Sequence, residues 1–132
     1  MMKEMFLEFQ SKFEFDTTVS TLVEKIEQAN WKVQAIHDMK RSLKNKGYDV
    51  QPATVVELCN PDIAYKILSK SDERVFSSMM PCRISIYEKS DGKTYISLMN
   101  NGAMAQQIGG VVEDAMSFAF EKSMEFVKNV IK

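Results

Sequence analysis

Met5, Leu7 and Phe9 alternate with Phe6, Glu8 and Gln10, and Phe13 and Phe15 follow. A period of two marks a strand with one covered face, so the pattern predicts a strand from about Met5 to Phe13. Asp16, Thr17 and Thr18 then offer short oxygen side chains that can accept from the free N–H groups of a helix start. Val19, Leu22, Val23 and Ile26 fall on one helical face and carry that helix to about Ala29, with Asn30 as its stop. Trp31, Val33, Ala35 and His37 read as one face of a second strand. Asp38 to Lys46 is short, basic and weakly amphipathic, and Gly47 suits the left-handed position after a helix.

The second half of the chain is punctuated more sharply. Gln51-Pro52 is a break, and Thr54 to Leu58 is rich in β-branched residues, as in a third strand. Asn60 fits a helix N-cap and Pro61 the first helical residue, where a missing N–H costs nothing. Ile63, Ala64, Ile67 and Leu68 give that helix an apolar face; Ser69 to Ser78 reads as a polar loop. Cys82, Ile84 and Ile86 alternate with Arg83, Ser85 and Tyr87 in a fourth strand. Ser90-Asp91-Gly92-Lys93 is a hairpin turn, and Thr94 to Met99 is the returning strand. Asn100-Asn101-Gly102 and Gly109-Gly110 are further breaks.

From Val111 to Ile131 the spacing is helical. Val112, Ala115, Met116, Ala119, Phe126, Val127 and Val130 form the stripe, and Phe118, Phe120, Met124 and Ile131 widen it. A helix apolar over so much of its girth is either deeply buried or shared with a second subunit, which favours a homodimer. Strands and helices do not alternate strictly, and the hairpin is antiparallel. The expected fold class is α+β, a mostly antiparallel β-sheet with helices packed on one face. At 132 residues the chain fits a single domain spanning 1–132.

Composition narrows the function classes. With 45% hydrophobic and 27% charged residues the chain is ordinary globular material. A net charge of -1 leaves no basic excess to release counterions from a phosphate backbone, so nucleic acid is not the expected partner. Lys40, Arg41, Lys44 and Lys46 form the most basic patch, which reads as a solvated helix face. No apolar run approaches a membrane span. Charge interrupts Met1 to Glu8 too early for a signal peptide, so a cytoplasmic location with reduced thiols is expected. Ten methionines are many for this length, but no Met array beyond Met79-Met80 suggests a copper site, and core filling accounts for them.

Cys59 and Cys82 are the only cysteines, each beside a proline at the end of an apolar run. A helix N-terminus after Cys59 would stabilise a thiolate, and Arg83 beside Cys82 is a second positive influence. If strands three and four are neighbours, the two thiols could form a disulfide, hold a thiophilic metal or carry a sulfur species. The plain account is packing, since Cys82 shares a face with Ile84 and Ile86. Their spacing matches no zinc signature. His37, the sole histidine, could complete a two-Cys, one-His metal set or act as a general base; a surface position is the simpler account. Glu57, Arg83 and Glu88 could face one another across strands, either as ordinary ion pairs or as a cluster that orients a small anion around Arg83. Gly109-Gly110 lacks the surroundings of a phosphate loop.

Leu58-Cys59-Asn60-Pro61-Asp62-Ile63-Ala64, followed by Pro81-Cys82-Arg83-Ile84-Ser85-Ile86-Tyr87-Glu88, resembles the domain-of-unknown-function 302 family. The Phe-rich leading strand, the first helix and Lys46-Gly47 extend the resemblance over nearly the whole chain. It implies a β-α-β-β-β-β-α core with short extra helices, related to the TATA-binding-protein architecture, and dimers. It implies no reaction or cofactor, and a shared fold carries no function by itself. Three functions stay open: a binding or accessory module with a cysteine-centred site for a small molecule or metal, a small thiol-dependent redox protein or enzyme, and a plain interaction module.

Overall fold

The structure is a computed structural model describing residues 5–132. Residues 1–4, part of the stretch read above as unlike a signal peptide, lie outside the described residues. Five strands, β1 (Phe6–Gln10), β2 (Lys32–Asp38), β3 (Ala53–Cys59), β4 (Cys82–Glu88) and β5 (Thr94–Met99), form one sheet in the order β1-β5-β4-β3-β2. Every pairing is antiparallel. Five α-helices accompany the sheet among the described residues: α1 (Phe15–Gln28), α2 (Met39–Lys44), α3 (Pro61–Leu68), α4 (Asn101–Ala105) and α5 (Gly110–Lys128). The α+β class and the β-α-β-β-β-β-α order are therefore as expected.

Alternation along the strands sorts their side chains onto two faces. Leu7, Phe9, Val56, Leu58, Ile84, Ile86, Ile96 and Leu98 turn inward. There they meet Leu22 and Ile26 of α1, Ile63 and Ile67 of α3, and Met116, Phe126 and Val127 of α5 in one core. Removing one fully buried aliphatic side chain from such a core costs ~2–5 kcal/mol. Trp31 closes one end, edge-on to Phe126 with ring centroids 5.6 Å apart. The apolar girth of α5 is taken up mainly within its own chain, by α1, α3 and α4. Phe118 is the member of its stripe left most open, at 44% exposure.

Local differences from the sequence expectations have identifiable causes. β1 ends at Gln10; Ser11 N still donates to the Thr94 carbonyl at 2.8 Å, but Ser11 bridges to Ile131, and its Oγ lies 2.6 Å from Thr18 Oγ1 and donates to the Val130 carbonyl. α1 starts one turn earlier than predicted, capped by Glu14 rather than Asp16 to Thr18; Glu14 Oε1 accepts from Thr17 N at 2.8 Å. The register of β2 shifts between Val33 and Ala35, so Val33 opposes Leu58 while Ala35 opposes Glu57. That bulge moves Ala35 and His37 to the outer face, away from Trp31 and Val33, with which they were expected to align. Asp72–Met79, within the predicted loop, is a 3₁₀ helix. Asn100 begins α4 rather than merely breaking the chain, accepting from Ala103 N at 2.9 Å.

Candidate functional site

Cys59 is the last residue of β3, and the next residue starts a helix. Asn60 Oδ1 accepts from Asp62 N at 2.9 Å and Ile63 N at 3.3 Å, and Pro61 occupies the first turn. This cap fixes the angle at which the chain leaves the sheet. β3 and β4 are neighbours, and Leu58 lies opposite Cys82. Cys82 therefore points inward with Ile84 and Ile86, while Cys59 is one step along the opposing strand. Both are free thiols and partly buried.

The two cysteines border one small cavity of about 20 Å³, together with Trp31, Leu58, Met80 and Met116. Its lining surface is entirely apolar. Burial pushes the Cys82 thiol up to about 11, and the nearby Cys59 pushes in the same direction. Cys82 is thus held as a neutral thiol at physiological pH, the opposite of an activated nucleophile.

Cys59 also borders a second space. An open groove of about 780 Å³ runs along the outer side of α3 toward the sheet. Ala64, Tyr65 and Leu68 of α3, with Met80 and Pro81, form its apolar wall; Lys32, Gln34 and Glu57 supply polar groups. Cys59, Ala64, Met80 and Pro81 are common to groove and cavity. A mostly apolar concavity with a few placed polar groups is the usual build of a ligand site.

Glu57 is the hub of the outer sheet face. Its Oε1 lies 3.2 Å from His37 Nε2, and Arg83 Nε donates to its Oε2 at 2.9 Å. Its side chain is only 16% exposed. The hydrogen bonds from His37 and Arg83 hold its carboxyl below the usual carboxylate range. Two expectations are corrected here. Glu88 does not face Glu57 and Arg83: it stands opposite Thr94, and strand alternation turns it to the other face from Arg83. Nor does His37 join the thiols, because β2 runs it past Val55 and onto Glu57 while Cys59 pairs with Lys32. Among the described residues, no group of three His, Cys, Asp or Glu side chains is arranged to hold a metal ion.

Sequence reasoning missed two features. Leu68 was assigned to the buried stripe of α3, yet it and Tyr65 are exposed on the groove side. Tyr87 and Tyr95, directly opposed across the hairpin, stack at 6.3 Å on the outer face. Tyr87 donates to Glu8, Lys89 Nζ donates to the same carboxylate at 2.7 Å, and Lys89 also sits 4.3 Å from the Tyr95 ring centroid. A two-residue turn at Asp91-Gly92 would set Tyr87 opposite Ile96; the observed hairpin, closed by Lys89 N donating to the Lys93 carbonyl, sets it opposite Tyr95. Burial and the Glu8 hydrogen bond push Tyr87 up to about 12.

Comparison with known proteins places this architecture. The crystal structure of an uncharacterized conserved protein DUF302 from Bacillus stearothermophilus superposes with a TM-score of 0.82. The match covers 94% of this chain and 96% of that one, at 17% sequence identity, so the fold is shared. No curated protein matches the chain. No described helix is long and apolar enough to cross a membrane. The family model described as "Domain of unknown function DUF302" matches residues 7–129, nearly the whole length, and the chain belongs to that family.

Proposed function

We propose that this protein is a ligand-binding module whose site is the groove between α3 and the end of β3. The observation that carries this reading is the groove itself, with an apolar wall at Ala64, Tyr65, Leu68, Met80 and Pro81 and polar groups at Lys32, Gln34 and Glu57. Such a surface suits a small amphipathic molecule: apolar contact supplies the affinity and the polar groups orient it. Cys59 stands in the wall, where its sulfur can touch the occupant. Binding is favoured over thiol catalysis on two grounds. The Cys82 thiol is held neutral by burial, and the sole histidine is engaged with Glu57 rather than with a sulfur.

The test uses the groove thiol as a reporter. Small amphipathic molecules with one apolar ring and one charged group, starting with 8-anilinonaphthalene-1-sulfonate, are screened for slowing of Cys59 alkylation by iodoacetamide. Saturable protection that disappears in Leu68→Asp supports the site. If no compound protects Cys59, or if protection survives Leu68→Asp, the groove is not the binding surface.

A further inference from the structure

Four sulfur-bearing residues border the small cavity behind the groove: Cys59, Met80, Cys82 and Met116. They come from three stretches of chain: the end of β3, the Met80-Pro81-Cys82 segment that leads from the 3₁₀ helix into β4, and the middle of α5. The register that sets Leu58 against Cys82 is what brings the first three together. The sequence shows only part of this cluster: Met80 and Cys82 lie two residues apart, while Cys59 and Met116 are distant from both.

The chemistry of the space is selective. About 20 Å³ is room for one water-sized particle. A hard divalent ion would find neither carboxylate nor imidazole, since His37 and Glu57 are engaged on the other face of the sheet. Thiolate and thioether donors together prefer a soft cation.

We propose that the cavity is a binding site for a soft monovalent d¹⁰ cation, Cu(I) being the natural member of that class. Cys59 and Cys82 supply the strong ligands, and Met80 and Met116 the thioethers. Binding exchanges two thiol protons for one metal ion: both S–H bonds break, two S–Cu bonds form, and two H⁺ leave to solvent. Cys59, Ala64, Met80 and Pro81, shared by groove and cavity, mark the route of entry.

The experiment is an anaerobic titration of the reduced full-length chain with Cu(I), in competition with a coloured Cu(I) chelator and repeated with Ag(I). One equivalent should bind. Removal of an outer partner of a metal site weakens binding ~10–100-fold, so Cys59→Ser and Cys82→Ser should each exceed that range. Met80→Leu conserves volume and should still fold, while weakening Cu(I) roughly tenfold. Thermal melts of each metal-free variant confirm folding. The proposal is overturned if wild-type protein binds no stoichiometric Cu(I), if Cys82→Ser binds as tightly as wild type, or if Met80→Leu leaves the affinity unchanged. Zn(II) binding as tight as that of Cu(I) would refute the soft-ion assignment. Leu68→Asp, which removes the groove's apolar wall, should leave Cu(I) affinity intact, so the two sites stand or fall separately.

Discussion

Raising the pH should destabilise the fold through Cys82. A cysteine ionises at about 9.0 when unperturbed, and burial moves Cys82 to about 11. Between these values the unfolded chain gives up the proton while the folded chain keeps it. The unfolded state then binds fewer protons, so stability falls as pH rises. The contribution is fully present below about 9 and is lost by about 11. Two units at ~1.4 kcal/mol each give a total of about 2–3 kcal/mol, and about 1.3 kcal/mol of it falls between pH 8 and pH 10. Tyr87 and Tyr95 are also shifted upward and pull in the same direction, so the total slope alone does not isolate the thiol. The assay is therefore urea unfolding of wild type and Cys82→Ala at both pH values, under reductant. Cys82→Ala should be less stable than wild type at pH 8, and the gap should narrow by ~1 kcal/mol at pH 10. An unchanged gap would show that Cys82 is not a protected neutral thiol and would refute the burial argument.

Other perturbations test the scaffold around the site. Asn60→Ala removes both capping hydrogen bonds at the start of α3 and should cost ~1 kcal/mol in chemical denaturation. Gly102→Ala places a Cβ 3.2 Å from the Ser117 backbone Cα, where α4 meets α5, and should cost ~1–3 kcal/mol and lower the melting temperature. Glu57→Gln should flatten the acid limb of the stability profile. The Glu57 carboxyl is held below 4.5, so its contribution is present above that value and lost as pH falls through the folded value. Urea midpoints measured between pH 3 and pH 6 check this; equal acid slopes in wild type and variant would count against a folded-state hold on Glu57.

Much of the fold was legible because local chemistry and long-range packing agree. Asn60-Pro61 cap α3, Gly47 follows α2 at φ 86°, and Gly92 makes the hairpin turn at φ 77°. Each is a local rule that no distant contact overrides. The bulge in β2 was illegible for the converse reason. Lys32 to Asp38 alternates well enough to suggest a regular strand, and only pairing with β3 reveals the shift that turns His37 outward. Glu88 was misjudged in a related way: its sequence neighbours suggested a cluster, but strand parity separates it from Arg83. The pairing of the cysteines was legible only conditionally, once β3 and β4 are taken as neighbours. Of the methionines that join them, Met80 sits two residues before Cys82 in the same segment, but nothing in the spacing of Met116 brings α5 to the same space.

The position of Cys59 explains how one short segment can serve both proposed sites. Within a continuing strand, alternation would have confined it to the outer face with Val55 and Glu57. It is instead the last ladder residue before a capped helix, and the turn at Asn60-Pro61 redirects the chain over the sheet edge. Cys59 thereby stands between the outer groove and the inner cavity, bordering each. Cys82, one register step away, has no such freedom, because β4 continues regularly through Ile84 and Ile86 and holds it inward. The asymmetry is chemical as well as geometric. Cys59 lines the groove, where an incoming molecule or ion can meet it, and Cys82, which does not line it, has its ionisation suppressed by burial to about 11. A molecule seated in the groove is therefore read at Cys59, by the rate of its labelling, while occupation of the cavity is read by Cu(I) affinity.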